Sequence, residues 1–319
     1  MRRIKDYFVY LAVRVFLCII QAMRMETCHR IATWLAWLAN DVFRVRRSVT
    51  EENLTHVFPD WTPKQRHKLS RDMWEHLFLM VCELAHVPRK IHDTNWRQYI
   101  QIPKPADMMR YILDPRPVVV VSGHFGNFEM GSYASGLLGF PTYSIARPLD
   151  NPYLHKFITK FRSSKGQFIL PTEGSAKEIE RVLKAGRTLA LLGDQNAGRK
   201  GCWVDFLGRS ASCHKALAVF TISAGAPMVI SYARRTDRPL HFEIGVPAVA
   251  DPKDMDDSLR GIEPLTQWYN QKLEELIMSE PSQYWWLHRR WKGEPPARRR
   301  KRSTSATPAR PSSEPRQVA

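Results

Sequence analysis

Four consecutive β-branched residues, Val118-Val119-Val120-Val121, follow Pro117 and lead directly into Ser122-Gly123-His124-Phe125-Gly126-Asn127-Phe128-Glu129. An apolar run this short, with proline before it and glycine after it, reads as a buried strand. A helix-like pattern begins near Phe128. The chain here therefore reads as a strand–turn–helix corner, the kind of unit from which an α/β sheet is built. The same corner carries an imidazole and a carboxylate five positions apart. Glu129 is expected to hydrogen-bond one ring nitrogen of His124, fixing the tautomer and raising the basicity of the other. The product would be a general base able to take a proton from a hydroxyl.

Spacing alone does not distinguish this pair. With 11 His and 31 acidic residues in 319 positions, about one such coincidence is expected by chance, and His67 with Asp72 supplies it. That second pair lies in a helix: Thr62 caps, Pro63 starts, and Leu69, Met73, Leu77 and Leu84 form an apolar stripe. His67 therefore reads as a solvated helix residue. His124 differs in context, with a buried strand before it and a glycine on either side.

Residues 25–115 read as mainly helical, with Trp34, Leu35, Trp37 and Leu38 on one side of an early helix. From Pro117 onward strands and helices alternate. Strands are expected at Val118–Val121, Gln167–Leu170, Thr188–Leu192, Met228–Tyr232 and Leu240–Ile244. Helices are expected near Phe128–Leu138, Asn151–Ser164, Ser175–Lys184, His214–Ala224 and Glu263–Ser279. The fold class is α/β, a partly parallel central sheet flanked by helices. Reactive groups in such sheets gather beyond the carboxyl ends of strands. His124 ends one strand and Asp194-Gln195 ends another, so both are expected to face one crevice.

The charge is concentrated at the ends. Net charge is +17, with nine Lys/Arg against three acids in residues 1–47 and eight against two in residues 292–319. Basic termini favour an anionic partner, a membrane surface or a nucleic acid. Tyr7 to Met23 is apolar but for Arg14 and Gln21, marginal against the roughly 20 residues a spanning helix needs. No small-residue cleavage site follows it. Arg14 at the bilayer centre would be costly, so residues 1–24 are expected to form an anchor lying in or dipping into the cytoplasmic leaflet. A buried soluble helix stays open as the other reading. Residues 293–319, rich in Pro, Arg and Ser, are expected to be disordered. The five cysteines form no C-x-x-C pair, which argues against a disulfide framework and for reduced thiols.

Other motifs admit simpler readings. Thr172-Glu173-Gly174-Ser175 is similar to a phosphate-binding block of glycerolipid acyltransferases but lacks its arginine, and reads as a helix cap. Arg147 and Arg162 are either phosphate grips or surface charges. Cys202, Cys213 and His214 lack a fourth ligand and metal-site spacing, so no metal is expected. Residues 283–292, Gln-Tyr-Trp-Trp-Leu-His-Arg-Arg-Trp-Lys, suit base stacking, a membrane interface or a core-sealing segment.

Four blocks together resemble the late (secondary) acyltransferases of lipid A synthesis, the lauroyl/myristoyl acyltransferase family, which includes phosphatidylinositol mannoside acyltransferases. They are Arg47 to Asp60 with Glu52-Asn53-Leu54 and Val57-Phe58-Pro59; Gly123 to Glu129; Ala146-Arg147-Pro148-Leu149-Asp150-Asn151-Pro152 leading on to Arg162 and Gly193-Asp194-Gln195-Asn196; and Pro281 to Trp291. The resemblance spans roughly residues 5–292, with an α/β acyltransferase core at 116–292. Phe128, where a tryptophan is common, and the polar stretch Gly208–Lys215 depart from the pattern.

The resemblance implies a glycerolipid-acyltransferase-like fold and a membrane-associated O-acyltransferase. His124 would be the base and Glu129 its orienting partner, while Asn127, Arg147, Arg162, Asp194, Gln195 and Phe206 would bind substrate. Acyl-carrier protein or acyl-CoA would donate the chain, with no further cofactor. A phosphorylated glycolipid such as a lipid A precursor would accept it; a lysophospholipid or phosphatidylinositol mannoside is the alternative acceptor. The expected location is the cytoplasmic face of the inner membrane. A nucleic-acid-binding protein would explain the basic pI of about 9.9 but not the apolar N-terminus, so no nucleic acid is expected. A catalytically silent membrane-binding protein would tolerate loss of His124.

Overall fold

The computed structural model describes residues 2–172 and 174–295. Glu173 and most of the expected disordered tail lie outside the described residues. The N-terminal part is helical: α1 (Arg2–Ala22), α2 (Met25–Trp37), a π turn (Leu38–Val42), α3 (Arg47–Val57), α4 (Pro63–Lys90) and α5 (Pro105–Ile112). Thr62 caps α4 as expected, its hydroxyl accepting from the Gln65 amide while the Gln65 side chain accepts from the Thr62 amide. This reciprocal pairing satisfies donors that the first helical turn leaves open. His67 is half-exposed and bonds Asp41, not Asp72.

The α/β part follows as β2 (Val118–Ser122), α6 (Phe128–Leu137), β3 (Thr142–Ala146), α7 (Pro152–Ser163), β4 (Gln167–Pro171), α8 (Ala176–Lys184) and β5 (Thr188–Leu192). Next come a hairpin of β6 (Cys202–Phe206) and β7 (Arg209–Cys213), α9 (Ala216–Ala224), β8 (Met228–Arg235), β9 (Phe242–Ala250) and α10 (Ile262–Ser279). A short β1 (Ile100–Gln101) also joins the sheet, so the helical region contributes one edge strand. Strand order in the seven-stranded sheet is β1-β9-β8-β2-β5-β3-β4. Five neighbouring strands, β8 through β4, run parallel, and β8 pairs antiparallel with β9. The fold is α/β with a mostly parallel sheet.

Side chains alternate across each strand, and β2 shows the consequence. Val119 and Val121 are fully buried in the main core with Leu189, Met228 and Ile230. Val118 and Val120 face the other way, toward a cavity beneath α6. That helix reads Phe-Glu-Met-Gly-Ser-Tyr-Ala-Ser-Gly-Leu, and its small residues cannot fill the space against the sheet.

Beyond α10 the chain crosses the sheet's carboxyl edge as an irregular strap. Trp286, Leu287 and Trp291 are buried in the main core, so the aromatic–basic run of residues 283–292 seals the core. Asn53 of α3 holds this strap, donating to the carbonyls of Trp286 and His288, each at 2.8 Å.

Candidate active site

Strands β2 and β5 are neighbours in register, with Ser122 opposite Leu192. Two residues past each end stand His124 and Asp194, and the register brings them face to face. The ring Nδ1–H of His124 donates to Asp194 Oδ1 at 2.9 Å, and the His124 backbone amide donates to Oδ2 at 2.9 Å. One carboxylate thus fixes both the ring and the backbone that carries it. Room for this contact depends on Gly123, because a Cβ there would lie 3.3 Å from the Asp194 carboxyl carbon.

The partner differs from the expected one. Glu129 does not hydrogen-bond His124; it takes both Nε and Nη2 of Arg162 from α7. The first turn of α6 carries Glu129 toward α7, whereas the strand register sets Asp194 beside the ring. Asp194 had been expected to bind substrate, yet it is buried with its two oxygens committed to His124.

Electrostatics follow from this geometry. Burial opposes the charged imidazolium, but the Asp194 carboxylate, aided by more distant Glu129, outweighs it and raises the His124 pKa above its ordinary value. Burial likewise opposes the Asp194 carboxylate, and the His124 imidazole outweighs it, so that pKa is lowered. With the proton on Nδ1, Nε2 presents a lone pair. Gln195 Nε2 lies 3.2 Å from it. The rings of Phe128 and Trp285 meet the imidazole edge-on, at centroid distances of 5.1 and 5.4 Å.

The His124 ring opens onto a cavity of about 680 Å³ running along the sheet toward the strands' amino ends. Val118, Val120, Ala190 and Ile169 form its sheet wall, with Met108 of α5 and Leu138 beyond α6 toward its depth. Glu129, Arg147, Arg162 and Gln195 also line it. Arg147 is 81% exposed and, among the described residues, pairs with Asp150 alone, at 3.5 Å. Arg162 is largely covered by its pairing with Glu129.

Two expected substrate contacts are misplaced. Asn127 is fully buried and turned away from the cavity, donating to Glu83 of α4 at 3.2 Å. Phe206 is fully buried under Arg290 and Trp291, outside the cavity lining. Sequence reasoning missed Asp194 as the histidine's partner, although the equal offsets of the two residues from their strand ends were a usable signal.

A histidine–carboxylate pair facing a largely apolar cavity at the carboxyl edge of a parallel sheet is an arrangement that can act as a general base on a hydroxyl. The family model for bacterial lipid A biosynthesis acyltransferases matches residues 1–293. The chain belongs to this family and is an acyltransferase.

Its curated relatives include the lipid A biosynthesis palmitoleoyltransferase of Escherichia coli (strain K12), 23% identical over 83% of this chain and 85% of that protein. The lipid A biosynthesis lauroyltransferase of the same strain is 24% identical over 91% of this chain and 92% of that protein. Among solved structures, the 1-acyl-sn-glycerophosphate (LPA) acyltransferase PlsC of Thermotoga maritima gives a TM-score of 0.40 at 10% identity, covering 82% of this chain and 100% of that one. A likeness that distant carries no argument about chemistry.

Proposed function

We propose that the chain moves a fatty acyl group from the thioester of acyl-carrier protein or acyl-CoA to a hydroxyl of a phosphorylated lipid A precursor, at the cytoplasmic face of the inner membrane. The single observation that carries this reading is the His124–Asp194 pair, whose imidazole lines the apolar cavity with Nε2 met only by the Gln195 side chain among the described residues.

In the proposed reaction Nε2 takes the acceptor hydroxyl's proton as its oxygen bonds to the thioester carbonyl carbon. Asp194 stabilises the imidazolium that forms, as a buried carboxylate beside the opposite ring nitrogen does in hydrolase triads. Collapse of the tetrahedral intermediate breaks the carbon–sulfur bond, and the leaving thiolate takes the proton back from Nε2. Ester and thiol are the products, and no covalent acyl-enzyme is needed. The Gln195 amide is the nearest side-chain donor for the oxyanion. The acyl chain occupies the cavity, where each buried methylene contributes about 0.8 kcal/mol.

Arg147, exposed at the cavity rim, suits an anionic phosphate. Arg162 gives two nitrogens to Glu129, which leaves a phosphate only the third. The Arg162–Glu129 pair therefore shapes the mouth more than it grips the acceptor.

No helix among the described residues is long and apolar enough to cross a membrane. A helix lying in the interface fits α1 better. Phe8, Phe16 and Ile19 are each more than half exposed, while Ile20 is buried against Cys28 and Leu79. Arg14 bonds the Tyr10 hydroxyl and lies over the Phe157 ring of α7, so its charge joins the docking of α1 to the body.

The test is mass spectrometry of a phosphorylated lipid A precursor incubated with purified protein in detergent micelles, with each thioester donor in turn. One added acyl chain is expected, and none with His124→Ala. No product from the wild type with either donor would overturn the reading.

A further inference from the structure

Glu83 is a fully buried acid on the mainly apolar buried face of α4, which also carries Ser70, His76 and His86. Its carboxylate accepts from Arg235 Nε at 2.6 Å and Nη2 at 2.8 Å. It also accepts from the Leu240 amide at 3.1 Å and from Asn127 Nδ2 at 3.2 Å. Arg235, the last residue of β8, donates through Nη1 to Nδ1 of His76 at 2.8 Å. That bond needs a bare Nδ1, so the ring proton sits on Nε2, which donates to the Gly126 carbonyl at 3.1 Å. Burial and the Arg235 charge keep His76 neutral, its pKa pressed down to about 3.

The amide of the same residue is held from Arg235 as well. Gln283 exchanges two hydrogen bonds with the Arg235 backbone, at 2.9 and 2.8 Å. The Gln283 carbonyl in turn accepts from the Gly126 amide at 2.9 Å. Both polar groups of residue 126 are therefore tied to residues bonded to one arginine. Gly126 has φ +61°, and a turn with glycine on both sides of His124 has the least conformational restraint of its own.

Removing an ion pair from water seldom adds net stability, and apolar replacements of such pairs are often neutral or stabilising. We infer that Glu83, Arg235 and His76 are positioning residues: the buried pair, relayed by the neutral imidazole, holds the 124–127 turn so that the His124 imidazole lines the cavity. The inference rests on the reading of His124 as base given above. Displacement of a reacting group by about 1 Å can cost on the order of 100-fold in rate.

Two variants separate positioning from packing. His76→Leu cuts the relay and leaves the ion pair; the double variant Glu83→Met with Arg235→Met removes the pair at similar volume. Both leave buried groups unpaired, the Gly126 carbonyl in one and the Leu240 amide and Asn127 Nδ2 in the other, so both are expected to stay folded but to melt somewhat lower. Their kcat is expected to fall roughly 10- to 100-fold with KM for donor and acceptor changed less than threefold. His76→Gln, which restores a donor to Gly126, is expected to recover part of kcat.

Folded variants with wild-type kcat would overturn the inference. If either variant does not fold, Glu83→Gln decides by the same split. A lowered melting temperature with unchanged kcat per folded molecule would mean the cluster only stabilises, which also overturns it. His124→Ala is run alongside: if it stays active, the base assignment itself is wrong. If it is inactive while the cluster variants match wild type, only the positioning role is lost.

Discussion

Asp194 Oδ1 lies 2.9 Å from Nδ1 of His124, a residue seventy positions earlier in the chain. Both stand two residues past the ends of adjacent parallel strands whose last residues are paired. Strand register alone places an acid beside the proposed base, and the first consequence concerns which carboxylate matters most.

Asp194→Asn should lower kcat on the order of 10²- to 10⁴-fold with little change in KM, because an amide neither stabilises the imidazolium nor holds the productive tautomer. Glu129→Gln should cost less, since Glu129 meets Arg162 and acts on His124 only through space. Steady-state kinetics of both variants check the order. A larger loss at Glu129 would place the ring's true partner there.

The pH dependence follows from the raised His124 pKa. The base must be neutral, so kcat/KM should climb with pH along a limb lying above the ordinary histidine value of about 6.5. Stability runs the other way. A raised histidine pKa contributes stability that is complete below about 6.5 and lost as pH rises through the folded value. The lowered Asp194 pKa contributes above about 3.9 and is lost as pH falls through its own folded value. The pair should therefore stabilise most between those ordinary values, a window in which His124 is mainly protonated and the rate is already low. Melting curves and rate profiles on the same buffer series test both slopes; in Asp194→Asn the rate limb should move to lower pH.

Arg147→Ala should raise KM for a phosphorylated acceptor about tenfold while leaving kcat nearly unchanged, and Arg147→Lys should recover only part because ammonium lacks the planar fork. An acceptor stripped of phosphate should not distinguish the three proteins. Equal KM values with the phosphorylated acceptor would return Arg147 to an ordinary surface charge.

The triple replacement Phe8→Ser, Phe16→Ser and Ile19→Ser should reduce flotation with anionic liposomes at least tenfold at high salt, since each side chain gains about 1.5–3 kcal/mol when fully buried. Its fold should persist, because α1 docks through Tyr7 and Tyr10 against Tyr153 and Phe157 and through Ile20. Undiminished flotation would move the membrane contact elsewhere, with exposed Trp34, Trp37 and Phe43 the next surface to test.

Gly126→Ala should destabilise the fold by at least about 2 kcal/mol. Its φ is +61° and an added Cβ would sit 2.2 Å from the Ala233 carbonyl oxygen. Denaturant midpoints measure this directly, and a loss below about 0.5 kcal/mol would mean the turn relaxes without cost.

The sequence by itself determined the α/β alternation, the capped α4 helix, the strand–turn–helix corner and the placing of His124 and of Asp194-Gln195 beyond strand ends. These follow from period, β-branching and turn residues, which act within a few positions. Strand β3, Thr-Tyr-Ser-Ile-Ala, escaped notice because its inner face lines a cavity and so carries polar and small residues.

Only the tertiary structure decided that β5 lies beside β2, so that Asp194 and not the nearer Glu129 holds the imidazole. It also decided that Asn127 faces Glu83 and that Phe206 lies in the core. Pairing between strands far apart in sequence is fixed by how the whole core packs. A carboxylate five residues away along the chain can therefore point to another helix, while one seventy residues away completes the site.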